Sequence, residues 1–169
     1  FTDEVEHVIP PRKGARHVLR VVRDVLYMRP RRRGTRLESA LDYLNHIASR
    51  RSVVFVISDF LDPAFAPALR VTAKRHDVIG VVVEDARERE WPAAGLVEWE
   101  DAETGRRYLR DTADPATRRQ LAELQARQRA ALETGLRTAG VDHLRVRAGE
   151  PYLGALAGFF RGRQRRRGA

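Results

Sequence analysis

Val53-Val54-Phe55-Val56-Ile57-Ser58-Asp59 is an unbroken apolar run that stops on a carboxylate. Continuous β-branched and aromatic residues mark a strand buried on both faces, the habit of parallel strands lying under helices. Open α/β sheets place their ligand sites just beyond the carboxyl ends of such strands. Asp59 therefore stands where a cation or substrate ligand would be expected.

The flanking patterns are those of alternating helices and strands. Upstream, Thr35-Arg36-Leu37-Glu38 matches a capping box and opens a helix burying Leu37, Leu41, Leu44 and Ile47, to end near Arg50-Arg51. Downstream, Asp62-Pro63 is a cap followed by proline, starting a helix to about His76, and Val78–Val83 reads as a second buried strand. Towards the start, Thr2–Ile9 alternates Val5, His7 and Ile9 as a short strand that Pro10-Pro11 ends. A helix from about Lys13 to Met28 then carries Val18, Leu19, Val22, Val25 and Leu26 on one face. Past Asp85, Leu96–Glu100 and Arg106–Arg110 read as strands around Glu103-Thr104-Gly105, a hairpin loop. Asp114-Pro115 starts a long helix that buries Leu121, Leu124, Ala131, Leu132 and Ala139 and stops at Gly140. Val141–Val146 is a half-buried strand, and a helix from Pro151 to about Phe160 frays into Arg161–Arg167. The predicted fold is a doubly wound, mostly parallel α/β sheet: one domain over 1–169, with a hairpin insertion at 85–111 and a basic tail at 161–169.

With 169 residues, 43% hydrophobic and 33% charged, the chain has the composition of a folded globular domain. It has no cysteine, which excludes disulfides and thiolate metal sites. No apolar run reaches the length of a membrane span and no signal-peptide pattern opens the chain, so a cytoplasmic location is expected. The net charge of +9 invites a nucleic-acid reading. Against it, Lys13 and Lys74 are the only lysines, and an arginine excess of this kind also arises from a GC-rich genome.

Two readings of the rim around Asp59 stay open. Thr35 precedes a helix and Asp59 follows a strand, so both are expected at the carboxyl edge, where their oxygens could face a hard cation. Equally, Thr35 could serve only as a helix cap and Asp59 could bond its own loop. Arg29, Arg31, Arg32 and Arg33 crowd the same rim, either as a solvated loop or as guanidiniums for an acidic partner. His7, His17, His46, His76 and His143 are scattered without ligand spacing. Gly154-x-x-x-Gly158 reads as a close-packing helix stripe, and Trp91 and Trp99 as residues packing the hairpin onto the body. No nucleophile elbow, Walker loop or dinucleotide fingerprint occurs. No catalytic or cofactor-binding residue is assigned.

Ile9-Pro10-Pro11-Arg12-Lys13-Gly14-Ala15-Arg16-His17-Val18-Leu19-Arg20 begins a series of collinear motifs. Gly34-Thr35-Arg36-Leu37, Val56–Asp62, Arg75-His76-Asp77-Val78-Ile79, Glu98–Gly105 and Gly140-Val141-Asp142 continue it. Together they resemble the bacterial domain-of-unknown-function family fifty-eight, which is grouped with von Willebrand factor type A-like domains. The resemblance implies a metal-ion-dependent adhesion site, in which Mg²⁺ held by an Asp-x-Ser-x-Ser loop, a threonine and a second aspartate captures an acidic residue of a partner. Thr35 matches that threonine and Asp59 that aspartate. It also implies work alongside a MoxR-type AAA+ ATPase in the maturation of other proteins.

Departures from the family pattern set further expectations. The Asp-x-Ser-x-Ser loop and the family's first strand, first helix and second strand do not precede Phe1, so the chain reads as N-terminally truncated. Thr2–Ile9 would then be the third strand, and one side of Val53–Ile57 is left unpaired. Such an edge predicts a homodimer, a strand swap or a strand taken from a partner. Arg36 stands where related domains often place an acid, so no tightly held metal is expected here, and Mg²⁺ only if an upstream loop is supplied. A membrane tether through an upstream segment stays open. The expected function is a non-enzymatic adaptor. The alternatives are nucleic-acid or anionic-surface binding through Arg29–Arg33 and Arg161–Arg167, and, weakest, a hydrolase with an ion at Asp59.

Overall fold

The computed structural model describes residues 1–62, 64–85, 92–100 and 105–167, with Arg167 as backbone alone. In chain order the elements are α1 (Ala15–Tyr27), α2 (Leu37–Ile47), β1 (Val53–Ser58), α3 (Phe65–Arg75) and β2 (Asp77–Glu84), then β3 (Leu96–Glu100), β4 (Arg107–Asp111), α4 (Pro115–Ala139), β5 (Asp142–Arg147) and α5 (Leu153–Arg167). Among the described residues the main sheet has three strands in the order β1-β2-β5, all parallel, and β3 pairs antiparallel with β4. Pro63, Trp91 and the loop residues Glu103 and Thr104 lie outside the described residues.

The parallel register puts Val54, Val56, Val78, Gly80 and Val82 on one face of the sheet. Against it lie α2, α3 and α4, and the core forms there from Leu37, Leu41, Phe60, Phe65, Leu69 and Leu136 with Val56, Val78 and Val82. Two glycines let these layers approach. A Cβ on Gly135 would fall 2.7 Å from Phe65 Cζ, and one on Gly80 would touch Leu136, Phe60 and His143. On the opposite face α5 packs against β5, and its Phe160 meets Phe55 edge-on at 6.2 Å, while Val53, Phe55 and Ile57 of β1 stay exposed. Helices on both faces of a parallel sheet are the predicted mixed α/β layout.

Several expectations are corrected. Thr2–Ile9 forms no strand; its polar groups bond loops rather than a ladder, with Arg36 N–H donating to Thr2 O (2.9 Å). Helix α1 forms where its apolar stripe predicts, but Val18, Leu19, Val22, Val25 and Leu26 stay exposed, with no element covering them among the described residues. Thr35 is not the cap of α2. That place belongs to Arg36, which makes no side-chain cap bond, and the Leu37 N–H donates instead to Asp62 Oδ2 (2.9 Å). Asp62 Oδ1 also accepts from Ala64 N–H (2.9 Å). One carboxylate thus ties the loop after β1 to the start of α2. Asn45 is buried in α2 whereas Ile47 is exposed. Helix α5 does not fray at Phe160 but continues to Arg167. Gly154 and Gly158 mark no close packing, since a Cβ on either would meet nothing within 4 Å.

Candidate functional site

Asp59 follows β1 directly and is exposed. Its Oδ1 accepts from Leu61 N–H (3.2 Å) and from the Ser58 hydroxyl (3.3 Å), so it does bond its own loop. Thr35 is half-buried, and its hydroxyl makes no hydrogen bond among the described residues. The Asp62–Leu37 bond brings the segment carrying Thr35 against the loop carrying Asp59, at the carboxyl end of β1. Phe60, between Asp59 and Leu61, takes φ +57, a left-handed conformation rare for a bulky residue.

Among the described residues no three of His, Asp and Glu gather where an ion could be held. Thr35 and Asp59 offer one hydroxyl and one carboxylate, fewer protein ligands than the loop, threonine and aspartate that the family resemblance implies. These residues do not by themselves fit Mg²⁺.

The basic loop is partly neutralised from within. Glu6 accepts the N–H groups of Arg31 (2.8 Å) and Arg32 (3.1 Å), and Arg32 pairs with Asp3 (3.1 Å) and Glu4 (3.2 Å). The Arg31 amide first, and then the Thr2 hydroxyl, hold the Glu6 carboxyl below its ordinary value. A carboxyl with a depressed folded pKa stabilises above its unfolded value and loses that contribution as pH falls through the folded one. Ordering of the 29–33 loop is therefore expected in full at pH above 4.5 and lost as pH falls through the lower folded value. Amide exchange of Arg31 and Arg32 measured across that range checks this, and pH-independent protection contradicts it. Arg29, Arg31 and Arg33 remain exposed.

The end of the chain differs from its reading as a solvated basic tail. Arg163 is 7% exposed, with Nε on Asp142 (2.9 Å) and Nη2 on Asp77, and Arg166 also reaches Asp142 (3.3 Å). Thr112, missed in the sequence, is buried and latches the hairpin base through Gly95 O (2.7 Å from its N–H). Its only local signal is a hydroxyl just after a strand. His76 is buried at the end of α3, where Nδ1 accepts from Ser52 N–H (3.4 Å), a structural place rather than a catalytic one.

Sheet position makes β1 the other feature of this end. It pairs with β2 on one side and with no strand on the other among the described residues. Val53, Phe55 and Ile57 are 58%, 48% and 63% exposed on the face opposite the core.

Residues 1–131 match the family model described as "Protein of unknown function DUF58". The chain belongs to this family. It is 34% identical over 161 residues to uncharacterized proteins of Mycobacterium bovis and Mycobacterium tuberculosis, covering 93% of this chain and 50% of each relative. An uncharacterized protein of Mycobacterium avium is 34% identical over 131 residues, 76% of either chain. The chain thus spans about half the length of the first two curated DUF58 relatives. No solved structure matches it. No helix among the described residues is long and apolar enough to cross a membrane.

Proposed function

We propose that this DUF58 domain is a non-enzymatic protein–protein interaction module of von Willebrand factor A-like type that engages other chains through the rim at the carboxyl end of β1. The observation that carries the proposal is the Asp62–Leu37 bond, which brings the segment of Thr35 against the loop of exposed Asp59. The partner class comes from the family resemblance: a MoxR-type AAA+ ATPase acting on other proteins. Exposed Arg29, Arg31 and Arg33 suit an acidic surface on that partner. The ion-dependent form of the rim needs ligands beyond Thr35 and Asp59.

The test is capture by an immobilised MoxR-type ATPase from the same genome. Asp59→Ala is expected to weaken capture about tenfold, some 1.4 kcal/mol. Arg29→Ala and Arg33→Ala in parallel measure the share of the basic loop. Unchanged capture by a folded Asp59→Ala variant would sink the rim reading. Nucleic-acid binding is the lesser reading, because Arg32, Arg163 and Arg166 are already paired with carboxylates. It requires retention on nucleic acid that falls steeply with salt.

A further inference from the structure

A second place in the fold gathers charge without any role in the β1 rim. At the carboxyl ends of β2 and β5, a cleft of about 270 Å³ opens between α4 and the start of α5. Three guanidiniums, Arg129, Arg145 and Arg147, surround Glu84, whose side chain is 13% exposed. Arg145 is held firmly, by Glu84 on one side and Glu133 (2.8 Å) on the other. The others are held more loosely. Arg129 lies 3.9 Å and Arg147 3.8 Å from Glu84, separations that give attraction without a hydrogen bond. Arg147 Nη1 donates to Glu150 Oε1 (3.3 Å) and Oε2 (3.5 Å). Each guanidinium has five N–H donors, so Arg129 and Arg147 keep most of theirs uncommitted.

The balance of charge depends on depth. Glu133 and Glu150 have side chains more than half exposed, where water screens them. Among the described residues the lining carries three arginines and three glutamates; Glu84 and Arg145 lie deepest, and Arg129 and Arg147 have side chains 40% and 42% exposed at the mouth. Helix α5 begins at the same cleft, with Ala155 in the lining and no acid in its first turn, so the positive end of its dipole adds to that field. Glu150 leans on Arg147 from the loop before α5, where an external oxyanion would make its contacts. The volume is below that of pockets built for cofactor-sized ligands.

We propose that this cleft binds a compact oxyanion, inorganic phosphate or the phosphate of a small phosphomonoester, on Arg129 and Arg147, with Glu150 as an internal competitor for Arg147. Forked guanidiniums match the oxygens of a phosphate better than a point charge does. Arg145, fixed by its two glutamates, holds Glu84 in place beneath the site.

Titration calorimetry of the chain with inorganic phosphate, and with glycerol 3-phosphate, at low ionic strength tests this. Saturable binding is expected in the unmodified chain. Arg147→Ala and Arg129→Ala should each weaken it about tenfold, the loss of a charge-assisted hydrogen bond. Glu150→Gln should tighten it several-fold, a gain that a purely structural ion-pair network would not give. Arg110→Ala, on exposed β4, should leave it unchanged. Tighter binding of the ester identifies a phosphomonoester ligand, and equal binding identifies phosphate itself. Absence of saturation in both the unmodified chain and Glu150→Gln overturns the proposal. So does equal affinity in the Arg129 and Arg147 variants, which would show diffuse attraction to a basic protein.

Discussion

Arg163→Ala is expected to lower stability by about 3–5 kcal/mol, the cost of breaking a buried ion pair by removing one of its members. Arg163 is nearly inaccessible, and Asp77, with a side chain 12% exposed, sits at the first position of β2. The guanidinium spans β2 and β5 by gripping Asp77 and Asp142 together, so its removal uncovers charge and unseats α5 from the sheet. Ile79 and Leu144, on that face, would lose their cover. Arg163→Lys keeps the charge but cannot fork between two carboxylates, and an intermediate loss is expected. Exposed Arg165→Ala should stay within about 0.5 kcal/mol of the parent. Urea unfolding midpoints decide it: an Arg163→Ala midpoint equal to that of Arg165→Ala would show that the pair carries no net stability.

Arg163 also shows where the sequence stops being informative. Its partners lie 86 and 21 positions away, and nothing within an arginine run marks one member as buried. Local signals fared well where local physics decides. β1 and β2 form where their continuous apolar runs predict, although β1 is buried on one face only and not on both, with Val53, Phe55 and Ile57 exposed. Asp114 caps α4 through Ala116 and Thr117 N–H groups as the Asp-Pro pair predicts. Gly140 takes the left-handed C-cap, φ +71. The capping box at Thr35 failed because a carboxylate 25 positions away, Asp62, reached Leu37 N–H first. In α4 the apolar spacing pointed to Leu121, Leu124, Ala131, Leu132 and Ala139; of these only Ala139 is fully buried, together with Leu136, near the end of the helix. A 25-residue helix meets the core over only part of its length, and periodicity cannot say which part. The stripe on α1 and the alternation in Thr2–Ile9 describe faces suited to cover, and neither finds any here. For the candidate site, the placement of Thr35 and Asp59 at one end of the sheet was legible. The arginine cleft was not, since its three guanidiniums come from two elements joined only by folding.

Phe60→Ala is expected to cost about 3–5 kcal/mol, through lost burial and the cavity left behind. The ring is 4% exposed, packs edge-on against Phe65 at 5.4 Å and rests over Gly80. Its backbone sits at φ +57, which costs an L-residue about 1–2 kcal/mol. Only an anchored side chain sustains such strain, and here the anchor also sets the course of the 58–62 loop. Phe60 N–H donates to Ser58 Oγ (3.0 Å), and Asp62 then arrives at the start of α2. Comparing alanine with glycine separates the two contributions. Glycine normally destabilises a fixed position relative to alanine, but at this φ the order should invert, with Phe60→Gly about 1 kcal/mol more stable than Phe60→Ala. Hydrogen exchange of the Leu37 amide reports on the loop itself, because that amide is held by Asp62. Faster exchange in both variants is expected. Glycine falling below alanine would mean that the backbone stores no strain, and unchanged Leu37 exchange would mean that the ring does not position the rim on which Asp59 stands.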